Sequence, residues 1–115
     1  MYKNDQETTV AELDKIVDDF MIPRNWHIGR NPKNLAMSIA IEAAEIMEHF
    51  QWGAHEDYIE LTEEKRHEVS LEVADVMIYL LSFCRATGID LATAVQAKME
   101  INEGRFPVEK VRMPE

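Results

Sequence analysis

Apolar residues recur along this chain with the period of a helix, and no run alternates with period two for long enough to make a strand. Val10, Leu13, Ile16, Val17, Phe20 and Met21 follow the i, i+3, i+4, i+7 rule. Thr9 and Glu12 form a capping-box pattern ahead of them, and Pro23 forbids continuation. The stretch "PRNWHIGRN" then reads as a loop. Asn31 caps a second helix with Pro32 at its first position, where a missing N–H costs nothing. That helix is expected to reach about Trp52 and stop at Gly53. A polar segment, "AHEDYIELTEEKRH", leads to a third helix from near Thr62 to Gly88. Asp90 caps a fourth, which runs to about Gly104 with Pro107 beyond it. The pattern predicts an all-α four-helix bundle.

Two interruptions of that pattern carry chemistry. From Val69 to Cys84 the only charged residues are Glu72 and Asp75, set in an otherwise apolar run. The second helix holds Glu42 and Glu45 at the same spacing. Residues three apart share a helix face, so each pair points one way. Glu42, Glu45 and His49 fall in one arc bordered by Leu35, Ile39, Ile46 and Ile41. Glu72, Asp75 and Tyr79 fall in another beside Val69, Val76 and Leu80. Antiparallel packing of the two helices would bring four carboxylates together.

A carboxylate in an apolar setting costs several kcal/mol, roughly, unless it is protonated, paired or bound to a cation. Like charges raise one another's pKa values, and hard divalent cations with oxygen ligands relieve the conflict. Mg²⁺ is the expected ion, with Mn²⁺ a substitute. Either pair alone would pass for a solvated helix face; two pairs in the two most apolar helices point to metal. A di-iron bundle needs a Glu-x-x-His motif on each of two helices. Here only Glu64-x-x-His67 fits, outside the apolar part of its helix.

Composition narrows the picture further. At 115 residues one domain is expected, spanning residues 1–115, and the 46% apolar content excludes disorder as the main state. No apolar run is long enough to span a membrane. "MYKNDQETTVAELDK" has neither the basic nor the apolar region of a secretory signal, so a cytoplasmic location is expected. The single Cys84 cannot form an internal disulfide. A net charge of −10 argues against nucleic acid as a partner, but not against a small anionic substrate met by metal or local basic residues. Basic residues do gather, at Arg24, Arg30 and Lys33 and again at Lys98, Arg105, Lys110 and Arg112, although ordinary solvated charge accounts for that as well. The apolar helices carry more apolar surface than one small bundle buries, so at least a homodimer is expected.

The Glu-x-x-Glu and Glu-x-x-Asp pairs resemble those of the MazG-like, all-α nucleoside triphosphate pyrophosphohydrolases. "RNW", "NPKNLAMSIAIEAAEIMEHFQW", "EVADVMIYLL" and "GIDLATAVQAKMEINEGRFP" together are similar to the compact dCTP pyrophosphatase branch, from Arg24 to Pro107. The resemblance implies Mg²⁺-dependent hydrolysis of a nucleotide such as dCTP to the monophosphate and pyrophosphate. It assigns Glu42, Glu45, Glu72 and Asp75 as metal ligands, Trp26, Trp52 and Tyr79 to the nucleoside pocket, and Lys98 and Asn102 to the phosphates. It also implies a dimer or tetramer that completes the bundle. Arg30 stands where the family often has His, which makes it a candidate for base choice. Glu45 is the first choice for activating water. Read without the resemblance, Trp52 is a helix-end packing residue, Tyr79 core and Lys98 a surface lysine. The rival functions are a related bundle acting on dUTP or phosphoribosyl-ATP, and a non-catalytic helical interaction module.

Overall fold

A computed structural model describes residues 1–54 and 60–111. The helices are α1 (Val10–Met21), α2 (Pro32–Glu48), α3 (Glu63–Thr87), α4 (Leu91–Arg105) and a short α5 (Val108–Val111). Two 3₁₀ turns, Ile22–Arg24 and Trp26–Gly29, join α1 to α2. The described residues contain no strand, as the periodicity requires. Residues 55–59, in the polar connection, and Arg112, in the second basic group, lie outside the described residues.

Local chemistry sets the helix starts. The Thr9 hydroxyl accepts from the Glu12 N–H at 3.1 Å, while the Thr9 N–H donates to the Glu12 carboxylate at 3.1 Å. Those bonds hold Glu12 below the usual carboxylate range. Asn31 accepts from the N–H groups of Lys33 and Asn34, and Thr62 from that of Lys65. Asp90 accepts from the hydroxyl and the N–H of Thr93, which lowers its pKa. Gly88 ends α3 at φ 72°, a left-handed conformation that costs glycine nothing. Asn25, at φ 60°, reverses the chain between the 3₁₀ turns and so aims Trp26 back toward α1.

One boundary differs from expectation. α2 stops at Glu48, short of Trp52. The His49 N–H bonds to Ile46 O at 3.1 Å and the Phe50 N–H to Met47 O at 3.0 Å. Such i−3 bonds tighten a helix end into turns before the glycine is reached.

α2 packs along α3, and α1 lies across α3. The α2–α3 contacts run in opposite senses, Glu42 meeting Asp75 and His49 meeting Glu72, as in an antiparallel pair. The core is thin. Among the described residues only Leu35 and Leu81 are buried apolar side chains. Met37, Ile41, Leu71, Val73, Val95 and Met99 are at least half exposed, and α4 is exposed from Ala92 through Ile101. The radius of gyration, 17.5 Å, exceeds the value of about 13 Å for a compact chain of this length. Among the described residues, no helix is long and apolar enough to cross a membrane. Burial pushes the Cys84 thiol pKa up, which keeps it an unreactive packing group.

Candidate metal centre and its adjoining cavity

The i, i+3 spacing works as expected on α3 and in part on α2. Glu42, Glu72 and Asp75 each offer a carboxylate oxygen, all within 4.8 Å of one another. Among the described residues, no arginine or lysine forms an ion pair with these three. His49 stands nearest, its Nε2 3.7 Å from Glu72 Oε1, too far for a hydrogen bond. The donors suit a hard cation. All three are carboxylate oxygens, the ligand type that Mg²⁺ takes. Such a cation would be held by Glu42, Glu72 and Asp75.

Glu45 does not join this group. Its carboxyl shares a hydrogen bond with Glu48, and that bond is the main reason its pKa is raised. The charges of Glu48, Glu72 and Glu42 push in the same direction, so Glu45 stays within electrostatic reach of the cluster.

Asp75 also borders a cavity of about 440 Å³. Its other walls are Ile16, Val17, Phe20 and Met21 of α1, Trp26 of the second 3₁₀ turn, and Ile78 and Tyr79 of α3. Trp26 meets Phe20 edge to face, centroids 5.4 Å apart and planes at 71°, and Arg24 lies over the other ring, 3.9 Å from the Phe20 centroid. The cavity therefore combines an apolar, aromatic wall with one carboxylate from the cation group.

The candidate residues divide accordingly. Glu42, Glu72, Asp75, Trp26 and Tyr79 come together, with Glu45 at the margin. Arg30 does not line the cavity; it is paired with Asp18 and donates to the Met21 sulfur at 3.1 Å from behind the wall. Trp52 is 88% exposed, and neither it, Lys98 nor Asn102 borders the cavity or joins the carboxylates among the described residues. The Asn102 amide instead contacts the Met99 sulfur at 3.8 Å. The α1 wall was not anticipated. Its residues look like an ordinary amphipathic stripe, and nothing in the pattern says that Phe20 and Met21 face a cavity rather than a core.

Comparisons with known proteins bear on the fold and the family. A family model described as MazG-like matches residues 37–113. Two curated relatives are dCTP pyrophosphatase 1 of Homo sapiens and of Bos taurus, each 31% identical, over 92% and 89% of this chain respectively. The matches span only 64% and 62% of those relatives' own length. The crystal structure of a pyrophosphatase from Archaeoglobus fulgidus superposes with a TM-score of 0.80 at 40% identity, covering 93% of this chain and 98% of that one. With four helices in the expected order and the family model matching most of the length, the chain belongs to the MazG-like family.

Proposed function

We propose that this chain is a Mg²⁺-dependent nucleoside triphosphate pyrophosphohydrolase of one domain. It would cleave a deoxynucleotide such as dCTP to the monophosphate and pyrophosphate, as a cytoplasmic house-cleaning enzyme. The observation that carries this reading is the shared position of Asp75, at once a member of the carboxylate cluster and a wall of the aromatic cavity. A nucleotide has the same two parts, a polyanionic chain and a flat apolar base. Relatives named as dCTP pyrophosphatases support the substrate class.

Glu42, Glu72 and Asp75 would hold the cation, with Glu45 turning in as the fourth carboxylate. When bound, the ion neutralises charge on the phosphate oxygens, the main requirement of phosphoryl transfer. Glu45 is our candidate for accepting a proton from the attacking water. Water adds to the α-phosphorus, the bond to the bridging oxygen breaks, and pyrophosphate leaves. Trp26 and Tyr79 would hold the base.

The thin core supports a dimer or tetramer, in which the exposed faces of α2, α3 and α4 cover one another. A second copy would also give Lys98, Asn102 and Trp52 their role, by carrying them to a neighbour's phosphates and base.

The test is direct. The protein is incubated with each common dNTP and NTP plus Mg²⁺, and pyrophosphate is measured against orthophosphate. Pyrophosphate release is expected; orthophosphate alone, or neither, would refute the reading. Base stacking contributes roughly 1–3 kcal/mol. Trp26→Ala should therefore raise KM by about one to two orders of magnitude, with a smaller loss in kcat.

A further inference from the structure

Behind the α1 wall of the cavity lies a second group of acids, and it is fully paired. Asp18 is only 6% exposed. One carboxylate oxygen accepts from Arg30, whose side chain is 10% exposed, and the other forms an ion pair with Arg85 at 2.8 Å. Arg85 also pairs with Asp14. The charges balance, two acids against two guanidinium groups. Among the described residues the Arg30 Nε has no acceptor, and its amino nitrogen bonds only Asp18 and the Met21 sulfur. Among the described residues, Asp18 is thus the only counter-ion of an arginine whose side chain is 10% exposed.

The three residues belong to the same three parts of the chain that build the cavity. Asp18 is on α1 beside the wall residue Val17, Arg30 follows the turn that carries Trp26, and Arg85 is on α3 beyond Ile78 and Tyr79. Met21 connects the two layers. It lines the cavity, and from behind it meets Arg30 at 3.1 Å and the Ser82 hydroxyl at 3.7 Å. We propose that Asp18, through Arg30 and Arg85, is a positioning residue for base recognition: it clamps the three walls of the cavity and so sets how tightly and how selectively the base is held. Ion pairs are directional, whereas the few apolar contacts of α1 would let it slide on α3.

This proposal rests on the reading of the cavity as the base pocket. The test therefore measures Asp18→Asn and Arg85→Gln beside Trp26→Ala, in the full chain with Mg²⁺. Helicity by circular dichroism and the Mg²⁺-induced rise in Tm serve as controls. Asp18→Asn keeps the shape and removes the charge. It should raise KM about tenfold, leave kcat within about threefold, and narrow the ratio of kcat/KM between the preferred and the other bases. Arg85→Gln, at a side chain 44% exposed that tolerates change, should raise KM about threefold. Restoring the charge with Asp18→Glu should recover part of the selectivity. An unchanged KM and base ratio in folded Asp18→Asn would overturn the proposal. If Asp18→Asn does not fold, Arg85→Gln decides, and an unchanged KM there overturns it too. If Trp26→Ala leaves KM unchanged, the base pocket itself is misplaced, and the failure belongs to that reading.

Discussion

Two groups of carboxylates interrupt apolar helix faces in this protein, and they are resolved in opposite ways. Asp14 and Asp18 on α1 are met by Arg85 and Arg30, so their charge is neutralised within the fold. Glu42, Glu72 and Asp75, between α2 and α3, have no arginine or lysine against them among the described residues. A paired group braces helices and needs nothing from solution. An unpaired one stores repulsion that a cation, and after it an anionic substrate, can relieve. Acids on a helix face form a strut in one place and a candidate catalytic centre in the other, and the partner decides which.

The largest effect should come from removing charge at the unpaired group. Glu42→Gln, Glu72→Gln or Asp75→Asn should each lower turnover by about three orders of magnitude, the equivalent of several kcal/mol of lost charge stabilisation. The metal-free fold should keep its Tm or gain slightly, because repulsion is relieved. Full activity in any two of these variants would remove the cation group from the mechanism.

The paired group should respond the other way. Asp18→Leu leaves Arg30 buried without a counter-ion and should destabilise the protein by about 3–5 kcal/mol in chemical denaturation. Replacing Asp18, Arg30 and Arg85 together by Leu, Met and Met should restore most of that loss. If the triple variant were no better than the single one, burial of the unpaired charge would not be the cause.

Divalent cation sharpens the contrast in a single thermal melt. Mg²⁺ at one hundred times its Kd should stabilise the wild type by about 2.7 kcal/mol, and Asp18→Asn by the same amount. In Glu42→Gln the stabilisation should vanish. An equal gain in Glu42→Gln would place the binding site elsewhere.

The smallest effect is a pH slope. Glu45 holds its proton above the ordinary value of 4.5, first through its hydrogen bond to Glu48 and then through neighbouring negative charge. The folded state then binds more protons than the unfolded one just above that value, so metal-free stability should fall as pH rises through this window. Melting curves in chelator should show a shallower decline for Glu45→Gln than for the wild type. Parallel curves would mean that Glu45 is not the group responsible.

Much of this was legible from residue order because the information is local. Capping residues, the glycine after α3 and the three-residue spacing of acids act within a turn or two, so Thr9, Asn31, Thr62, Asp90 and Gly88 mark helix ends where the structure has them. The all-α class and the acidic pairs come from the same short-range rules, while Trp26 and Tyr79 as neighbours of the site come from family resemblance alone. The end of α2 was not legible, since competition between i−3 and i−4 bonds over residues 46–51 depends on small differences in geometry.

Long-range pairing was decided elsewhere. Asp18 lies 12 residues from Arg30, and Asp14 lies 71 from Arg85, distances at which no periodicity links one residue to another. Resemblance makes Arg30 a candidate for base choice, whereas packing sets it against Asp18 and the Met21 sulfur. Glu45 shares a helix face with Glu42, yet only Glu42 joins Glu72 and Asp75, because a side chain's rotamer answers to its three-dimensional neighbours. The sequence by itself determined which segments are helical and which faces carry acid. Only the tertiary structure decided which acids meet a guanidinium and which are left for a cation, because a charge's partner is set by where distant segments pack.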